Sequence, residues 1–258
     1  MKLIDFSMII NHNMPVPKII HQIFEQDSVP EYLLNISKTW KELNPEWKYI
    51  LWNQQTIKNF LLSNFPNHIA QYQAFPYDIQ RWHVGRFLIL FHYGGIYTDM
   101  DYECLEPIND LLKNKSCCLG LEPEEYAAIT EQKFLIGNAL IAVKKKHRFI
   151  KYIIDRIFEN NIKPCSNIYN YVKVSTGVNR LNTLYDKYPF KKEISLLPSE
   201  YISPFSASDV SKLLEGRTTK EMENKIEKAY AVHYHLGVWR IKQFHDCNNA
   251  LRDKHIII

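Results

Sequence analysis

The sequence predicts an α/β fold, and three observations carry that prediction. Short apolar runs of strand length alternate with longer segments whose apolar residues recur every three or four positions, the order expected where helices cover a largely parallel sheet. The longest helical pattern, 77–92, sets Ile79, Trp82, His83, Arg86, Phe87, Leu90 and Phe91 at that spacing and is stopped by Gly94-Gly95. Directly after it, Ile96-Tyr97-Thr98 forms a short strand that runs into two carboxylates, Asp99-Met100-Asp101. Ligands in open α/β sheets sit beyond the carboxyl ends of strands, which is where this pair falls.

The elements follow in order. Pro17 starts a first strand over 17–24, with Ile19, Ile20 and Ile23 apolar. Leu33, Leu34, Ile36 and Trp40 give a helix over 31–43, closed by the turn Asn44-Pro45. A second strand covers 47–52 and ends at Asn53; Ile57, Phe60, Leu61 and Leu62 then mark one face of a helix over 54–63. Beyond the acidic pair, strands are expected at 117–122, 135–143, 194–197 and 230–235, and helices at 147–160 and 166–186. The polar, Lys/Glu-rich stretch 206–229 reads as a surface excursion or a mobile loop.

The chain has 258 residues, 46% of them hydrophobic, which suits a single domain over 1–258. The longest apolar run near the middle, Phe87 to Phe91, is far short of the roughly 20 residues that span a bilayer. The N-terminal stretch has no sustained apolar region and no small-residue cleavage site, so a soluble protein without a signal peptide is expected. The five cysteines are odd in number and lack a C-x-x-C pair, which argues against a disulfide scaffold or zinc ribbon and for a reducing, cytoplasmic compartment. A net charge of +4, with one basic run at Lys144-Lys145-Lys146, reads as a solvated face with at most peripheral contact at the inner face of a membrane. No nucleic-acid-binding module is recognisable.

Positions i and i+2 of an extended strand face one side, so Asp99 and Asp101 could reach the same cation. Mg²⁺ and Mn²⁺ prefer carboxylate and phosphate oxygens, and a departing nucleotide diphosphate needs such neutralisation. An EF-hand loop starting here would need Gly at its sixth position, which is Cys104. A phosphatase-type aspartyl nucleophile would sit after the first strand, far upstream of this pair.

Asp78-x-x-Arg81, the apolar helix, Tyr93-Gly94-Gly95-Ile96-Tyr97 and Asp99-x-Asp101 together resemble the sugar-binding region of glycosyltransferase family 32, a pattern also found in the large clostridial glucosylating toxins. Pro17 to Ile23, the set Trp40, Asn44-Pro45, Trp47, Tyr49 and Trp52, the pair Thr176-Gly177, and the closing set His233, His235 and Trp239 are similar to further blocks of that family. The resemblance implies a GT-A type, Rossmann-like nucleotide-sugar domain with helical additions. It divides the chain into a donor-binding core over about 15–145 and an acceptor side with a C-terminal metal and phosphate element over about 146–258.

The resemblance also implies roles. Asp78 and Arg81 would hold donor sugar hydroxyls and phosphate; Asp99 would bind ribose or sugar and bridge to the metal, and Asp101 would ligate it directly. His235 is a candidate third metal ligand, with His233 competing. Tyr97, Asn138 and Phe24 join the donor site, Phe24 stacking on the base where the family usually has Trp, and Trp239 would reach the β-phosphate through its indole N–H. Tyr77 stands where the family usually has a small Ser. The implied cofactor is Mn²⁺ or Mg²⁺. The implied partners are a UDP- or GDP-sugar donor and a glycan or lipid-linked glycan acceptor, and the implied reaction is retaining transfer of a hexose or N-acetylhexosamine in surface polysaccharide synthesis. The alternatives are an effector that glycosylates a protein and a non-catalytic nucleotide-sugar-binding module.

Overall fold

A computed structural model describes residues 15–24, 29–159, 162 and 167–237. The elements run β1 (Ile19–Ile23), α1 (Glu31–Leu43), β2 (Lys48–Trp52), α2 (Gln54–Asn64), α3 (Ile69–Gln73), α4 (Asp78–Tyr93), β3 (Gly95–Thr98), β4 (Tyr102–Cys104), α5 (Asn109–Leu112), β5 (Cys117–Leu121) and α6 (Glu124–Ile129). They continue with β6 (Ile136–Val143), α7 (Arg148–Phe158), α8 (Ile168–Ser175), α9 (Val178–Lys187), β7 (Ser195–Leu197), α10 (Ser199–Ile202), α11 (Ala207–Leu214), α12 (Lys220–Ile226) and β8 (Ala231–His233).

Six strands form one sheet in the order β2-β1-β3-β6-β5-β7. The pairs β1–β2, β1–β3 and β5–β7 are parallel, whereas β6 is antiparallel to both β3 and β5. Five strands therefore share one direction and β6 alone opposes them. This is the α/β class and the largely parallel sheet that the alternation predicts, with one strand reversed. β6 follows β5 through α6 and lies beside it, between β3 and β5.

Successive side chains point to opposite faces of a strand, and the core divides accordingly. Cys117, Leu119, Ile141 and Val143 pack with α2, α4, α7 and α9 on one face. Cys118, Leu140 and Ala142 pack with α1, α5, α10 and the small β4–β8 sheet on the other. α7 shows why these helices form and dock: Phe149, Ile150, Ile153, Ile154 and Ile157 recur at helical spacing and are all buried, each contributing about 2 kcal/mol of apolar burial.

Two features fix β3 in place. The helix α4 ends at Gly94 with φ of 67°, and Gly95 follows at φ of 100°, where a Cβ would sit 2.4 Å from the Ile19 carbonyl oxygen. Only glycine lets β3 run that close to β1 immediately after the helix. His21 on β1 ties the same corner. The indole of Trp52 can only donate, so its 3.1 Å bond to His21 Nδ1 leaves the proton on Nε2, which donates to the Gly94 carbonyl at 3.0 Å. Burial pushes the His21 pKa down from 6.5 to about 4, so the ring is neutral.

Three expectations need correction. The helix expected over 166–186 is two helices, broken where Gly177 caps α9; the Gly177 and Thr176 amides both bond back to the Val172 carbonyl. The polar stretch 206–229 contains α11 and α12, capped by Ser206 and Thr219. Val210 and Met222 give it a small core with Phe205, Val232 and Tyr234, with Leu213 and Leu214 packed against it. The strand expected over 230–235 is limited to β8 and pairs with β4, outside the main sheet.

Candidate active site

The acidic pair sits at the carboxyl end of β3, and the local structure is a turn rather than extended strand. The Tyr102 amide donates to the Asp99 carbonyl at 3.2 Å, folding residues 99–102 back into β4. A buried polar relay holds the turn: Tyr49 Oη donates to Gln22 Oε1 at 2.6 Å, and Gln22 Nε2 donates to Thr98 Oγ1 at 3.0 Å and to the Asp99 carbonyl at 3.1 Å. Trp40 Nε1 donates to the Tyr102 carbonyl at 2.6 Å, anchoring β4 to α1. Each bond satisfies a group that would otherwise be buried without a partner.

Arg86 on α4 is almost fully buried, and it explains the setting of Asp99. Its Nη2 lies 3.1 Å from Asp99 Oδ1, its Nη1 donates to the Asn138 carbonyl, and its guanidinium sits 4.2 Å from the Tyr97 ring centre. Tyr97 Oη donates to the same Asp99 oxygen at 2.7 Å. The Ala139 carbonyl accepts from the Asp99 amide at 2.9 Å, so the irregular stretch of β6, where the register with β5 shifts, supports both ends of this arrangement.

Asp101 is held differently. The register of β4 and β8 puts Tyr102 opposite His233, with the two rings stacked at 4.6 Å. His233 Nε2 reaches to 3.4 Å from Asp101 Oδ1, and the Leu236 amide donates to Oδ2 at 2.8 Å. Burial favours neutral Asp101, but the charge and hydrogen bond of His233 and the Leu236 amide outweigh it and hold the pKa below the usual carboxylate range. Asp99 is shifted the other way, because burial exceeds the help it gets from Arg86. Burial opposes a charge on His233, yet Asp101 raises its pKa to about 9.

This donor set fits a divalent cation, which on binding would displace the His233 proton. Asp99, Asp101 and His233 each offer a ligand atom, all within 4.8 Å of one another; Glu122, His233 and His235 form a second such group. Two carboxylate oxygens and an imidazole suit Mn²⁺ or Mg²⁺. Buried His233 Nδ1 and Glu122 Oε2 have no hydrogen-bond partner among the described residues, as expected of groups arranged for a ligand.

These residues line a cavity of about 490 Å³, large enough for part of a nucleotide sugar. Of the residues expected at the donor site, Phe24, Tyr97, Asp99, Asp101, Asn138 and His235 line it. Asp78 and Arg81 are placed elsewhere: they pair with each other in the first turn of α4, Arg81 also donates to the Phe75 carbonyl, and neither lines the cavity. The arginine brought to the acidic pair is Arg86. Tyr77 packs against Tyr171 and is also outside the lining. His233 rather than His235 groups with the acidic pair, while His235 bonds the Phe205 carbonyl at 3.1 Å and groups with Glu122. Trp239 lies outside the described residues. The pair Thr176-Gly177 docks α8 on α4, with Thr176 Oγ1 3.1 Å from His83 Nδ1.

Three cavity or support residues were not singled out from the sequence: Arg86, Gln22 and Glu122. Signals existed. Arg86 is a lone charge on an apolar helix face and Gln22 a lone amide in an apolar strand, and such residues are rarely buried without a partner to hold. Glu122 directly follows β5, at the same end of the sheet that made the acidic pair conspicuous.

An α/β sheet that gathers a carboxylate pair, an imidazole and a buried arginine at the end of a parallel strand is a site of the glycosyltransferase type. The comparisons agree. Residues 30–117 match the family described as the glycosyltransferase sugar-binding region containing the DXD motif. A glycosyltransferase of Acanthamoeba polyphaga mimivirus is 30% identical over 195 residues, 73% of each chain. Inositol phosphoceramide mannosyltransferase 2 of Schizosaccharomyces pombe is 29% identical over 186 residues, 72% of this chain and 50% of that protein. Inositol phosphoceramide mannosyltransferase 1 of the same yeast is 31% identical over 147 residues, 53% of this chain and 46% of that protein. This chain thus spans about half the length of those yeast relatives. A solved glycosyltransferase involved in glycosylation of the major capsid of PBCV-1 superposes with a TM-score of 0.49 at 11% identity, over 84% of this chain and 93% of that one. The chain belongs to the DXD-containing glycosyltransferase family.

Proposed function

We propose that the chain is a metal-dependent, retaining glycosyltransferase that moves a hexose or N-acetylhexosamine from a UDP- or GDP-sugar to a hydroxyl of a glycan or lipid-linked glycan. The observation that carries this reading is the convergence of Asp99, Asp101, His233 and Arg86 on one cavity at the carboxyl end of β3. Mannose ranks first among donor sugars because yeast relatives are named as mannosyltransferases. A bound Mn²⁺ or Mg²⁺ would neutralise the diphosphate as its bond to the sugar breaks.

The chain's own residues do the rest. Asp101, the more acidic carboxylate of the pair, and His233 would hold the cation. Asp99, fixed by Arg86 and Tyr97, would take ribose or sugar hydroxyls and the outer cation contacts. Phe24 at the end of β1 would stack on the base, and Asn138 would bond the sugar. Trp239 would reach the β-phosphate. Asp78 and Arg81 would act only if the first turn of α4 shifts towards a bound donor. The new bond forms from the acceptor oxygen to the anomeric carbon on the face the phosphate leaves, and the acceptor proton passes to the departing phosphate oxygen.

The division into a donor-binding core over about 15–145 and an acceptor side over about 146–258 belongs to the same reading, as does a role in surface polysaccharide synthesis. None of the described helices is long and apolar enough to cross a membrane. The free thiols of Cys104, Cys117 and Cys118 support a cytoplasmic site of action. The test of retention is proton NMR of the anomeric signal in the product of an α-configured donor. An α product is expected, and a β product contradicts front-face attack.

A further inference from the structure

Glu122 has no hydrogen-bonded partner among the described residues, and the charge it faces, His233, is already paired with Asp101. Of the three carboxylates in the cavity, Asp99 is paired with Arg86 and Asp101 with His233. Glu122 makes no side-chain hydrogen bond or ion pair among the described residues, and its Oε2 is buried without a partner. A buried carboxylate oxygen without a partner is uncommon and points to a group outside these side chains. Its position is built. The Glu122 amide donates to the Leu135 carbonyl at 2.8 Å, and opposite stands Gly137, where a Cβ would fall 2.3 Å from Glu122 Oε1. A side chain at 137 would push the carboxylate out of this place.

Around it stand two imidazoles. Ligand atoms of Glu122, His233 and His235 lie within 4.8 Å of one another, the spacing of donors to a single ion. The Nδ1 of His233 is buried and unbonded. His235 is held for the purpose at φ of 50°, with Tyr126 edge-on to its ring at 5.5 Å. Left-handed backbone at a non-glycine residue is uncommon and has to be held by its surroundings; the ring itself is held by the 3.1 Å bond from Nε2 to the Phe205 carbonyl.

We propose that Glu122, His233 and His235 form a second divalent-cation ligand set beside the acidic pair, sharing His233 with it, and that this set takes an ion before any nucleotide arrives. Two imidazoles and one carboxylate select ions of the Mn²⁺ or Zn²⁺ type over Mg²⁺, which favours oxygen ligands. The inference rests on reading the cavity as a cation-dependent donor site, and it adds a place for the ion that needs no diphosphate.

The test is calorimetric titration of the nucleotide-free protein with Mn²⁺ and then Mg²⁺, on wild type, Glu122→Gln, Asp101→Asn and the double variant. Expected are Mn²⁺ binding at least 10-fold tighter than Mg²⁺, at least a 10-fold loss in Glu122→Gln, residual Mn²⁺ binding in Asp101→Asn, and none in the double variant. Gly137→Ala, which displaces Glu122 without removing it, should weaken Mn²⁺ in the same direction. Glu122→Gln is nearly isosteric, so its metal-free melting temperature should stay close to that of wild type, which separates ligand loss from misfolding. Unchanged Mn²⁺ affinity in Glu122→Gln, with binding abolished by Asp101→Asn alone, would overturn the second set and leave the acidic-pair site intact. Unchanged affinity in both single variants would overturn both.

Discussion

At the scale of single residues, the site is organised by pairing: Arg86 with Asp99, His233 with Asp101. Removing one member of a buried pair strands the other, which costs more than the pair itself contributes. Asp99 keeps partial solvent contact and its Tyr97 bond, so Arg86→Met should lower stability by about 2 kcal/mol, measured by urea unfolding; no loss would show that Asp99 does not depend on it. His21 gives a pH prediction. Its imidazole protonates near 6.5 in the unfolded chain and near 4 in the folded one. Between those values the unfolded state binds the extra proton, so this contribution is fully present above pH 6.5 and is lost as pH falls towards 4, by about 3 kcal/mol. His21→Gln should show a shallower fall in stability over that window than wild type, and parallel curves would remove His21 as the cause. The pairings themselves were only partly legible in the sequence. Asp99 and Asp101 stood out by their place after a strand and a glycine pair. Arg86 did not, because within a helix its spacing is the same as that of the apolar residues around it, and Arg81 already offered an acidic neighbour three residues away.

At the scale of elements, the chain's periodicities translate directly where one element buries one face. The expected helix over 31–43 coincides with α1, and the strands around the glycine pair lie within a residue or two of their expected ends. Periodicity fails where an element is short and held by tertiary bonds. β4 has three residues, depends on Trp40 and its pairing with β8, and leaves no pattern. The irregular start of β6 is another such place. Asn182 on α9 clasps it from both sides, accepting from the Ile136 amide at 2.9 Å and donating to the Ile136 carbonyl at 2.8 Å. Asn182→Ala leaves both backbone groups buried without partners and should cost about 2 kcal/mol. Faster hydrogen exchange at the Ile136 amide would locate the damage, and unchanged protection there would contradict the clasp.

At the scale of the whole molecule, the alternation of patterns was enough for the α/β class, but strand order was not readable. Nothing local tells β6 to insert between β3 and β5, since that choice is made by sheet edges. The inserted strand matters for function, because it carries the Asn138 and Ala139 carbonyls that hold Arg86 and the Asp99 amide. The architecture thus brings β1, β3, β5 and β8 to one end of the sheet and leaves their polar termini around a single cavity. On the proposed function, this cavity breaks a nucleotide sugar with the help of a cation held by Asp101. The most direct measurement is release of nucleoside diphosphate from a panel of UDP- and GDP-sugars with Mn²⁺, with EDTA and with Asp101→Ala in parallel. Release is expected from one donor, GDP-mannose first, and should fall at least about 100-fold with EDTA or in the variant. Release that survives both treatments, or no release and no Mn²⁺-dependent nucleotide binding with any donor, would contradict the proposed function.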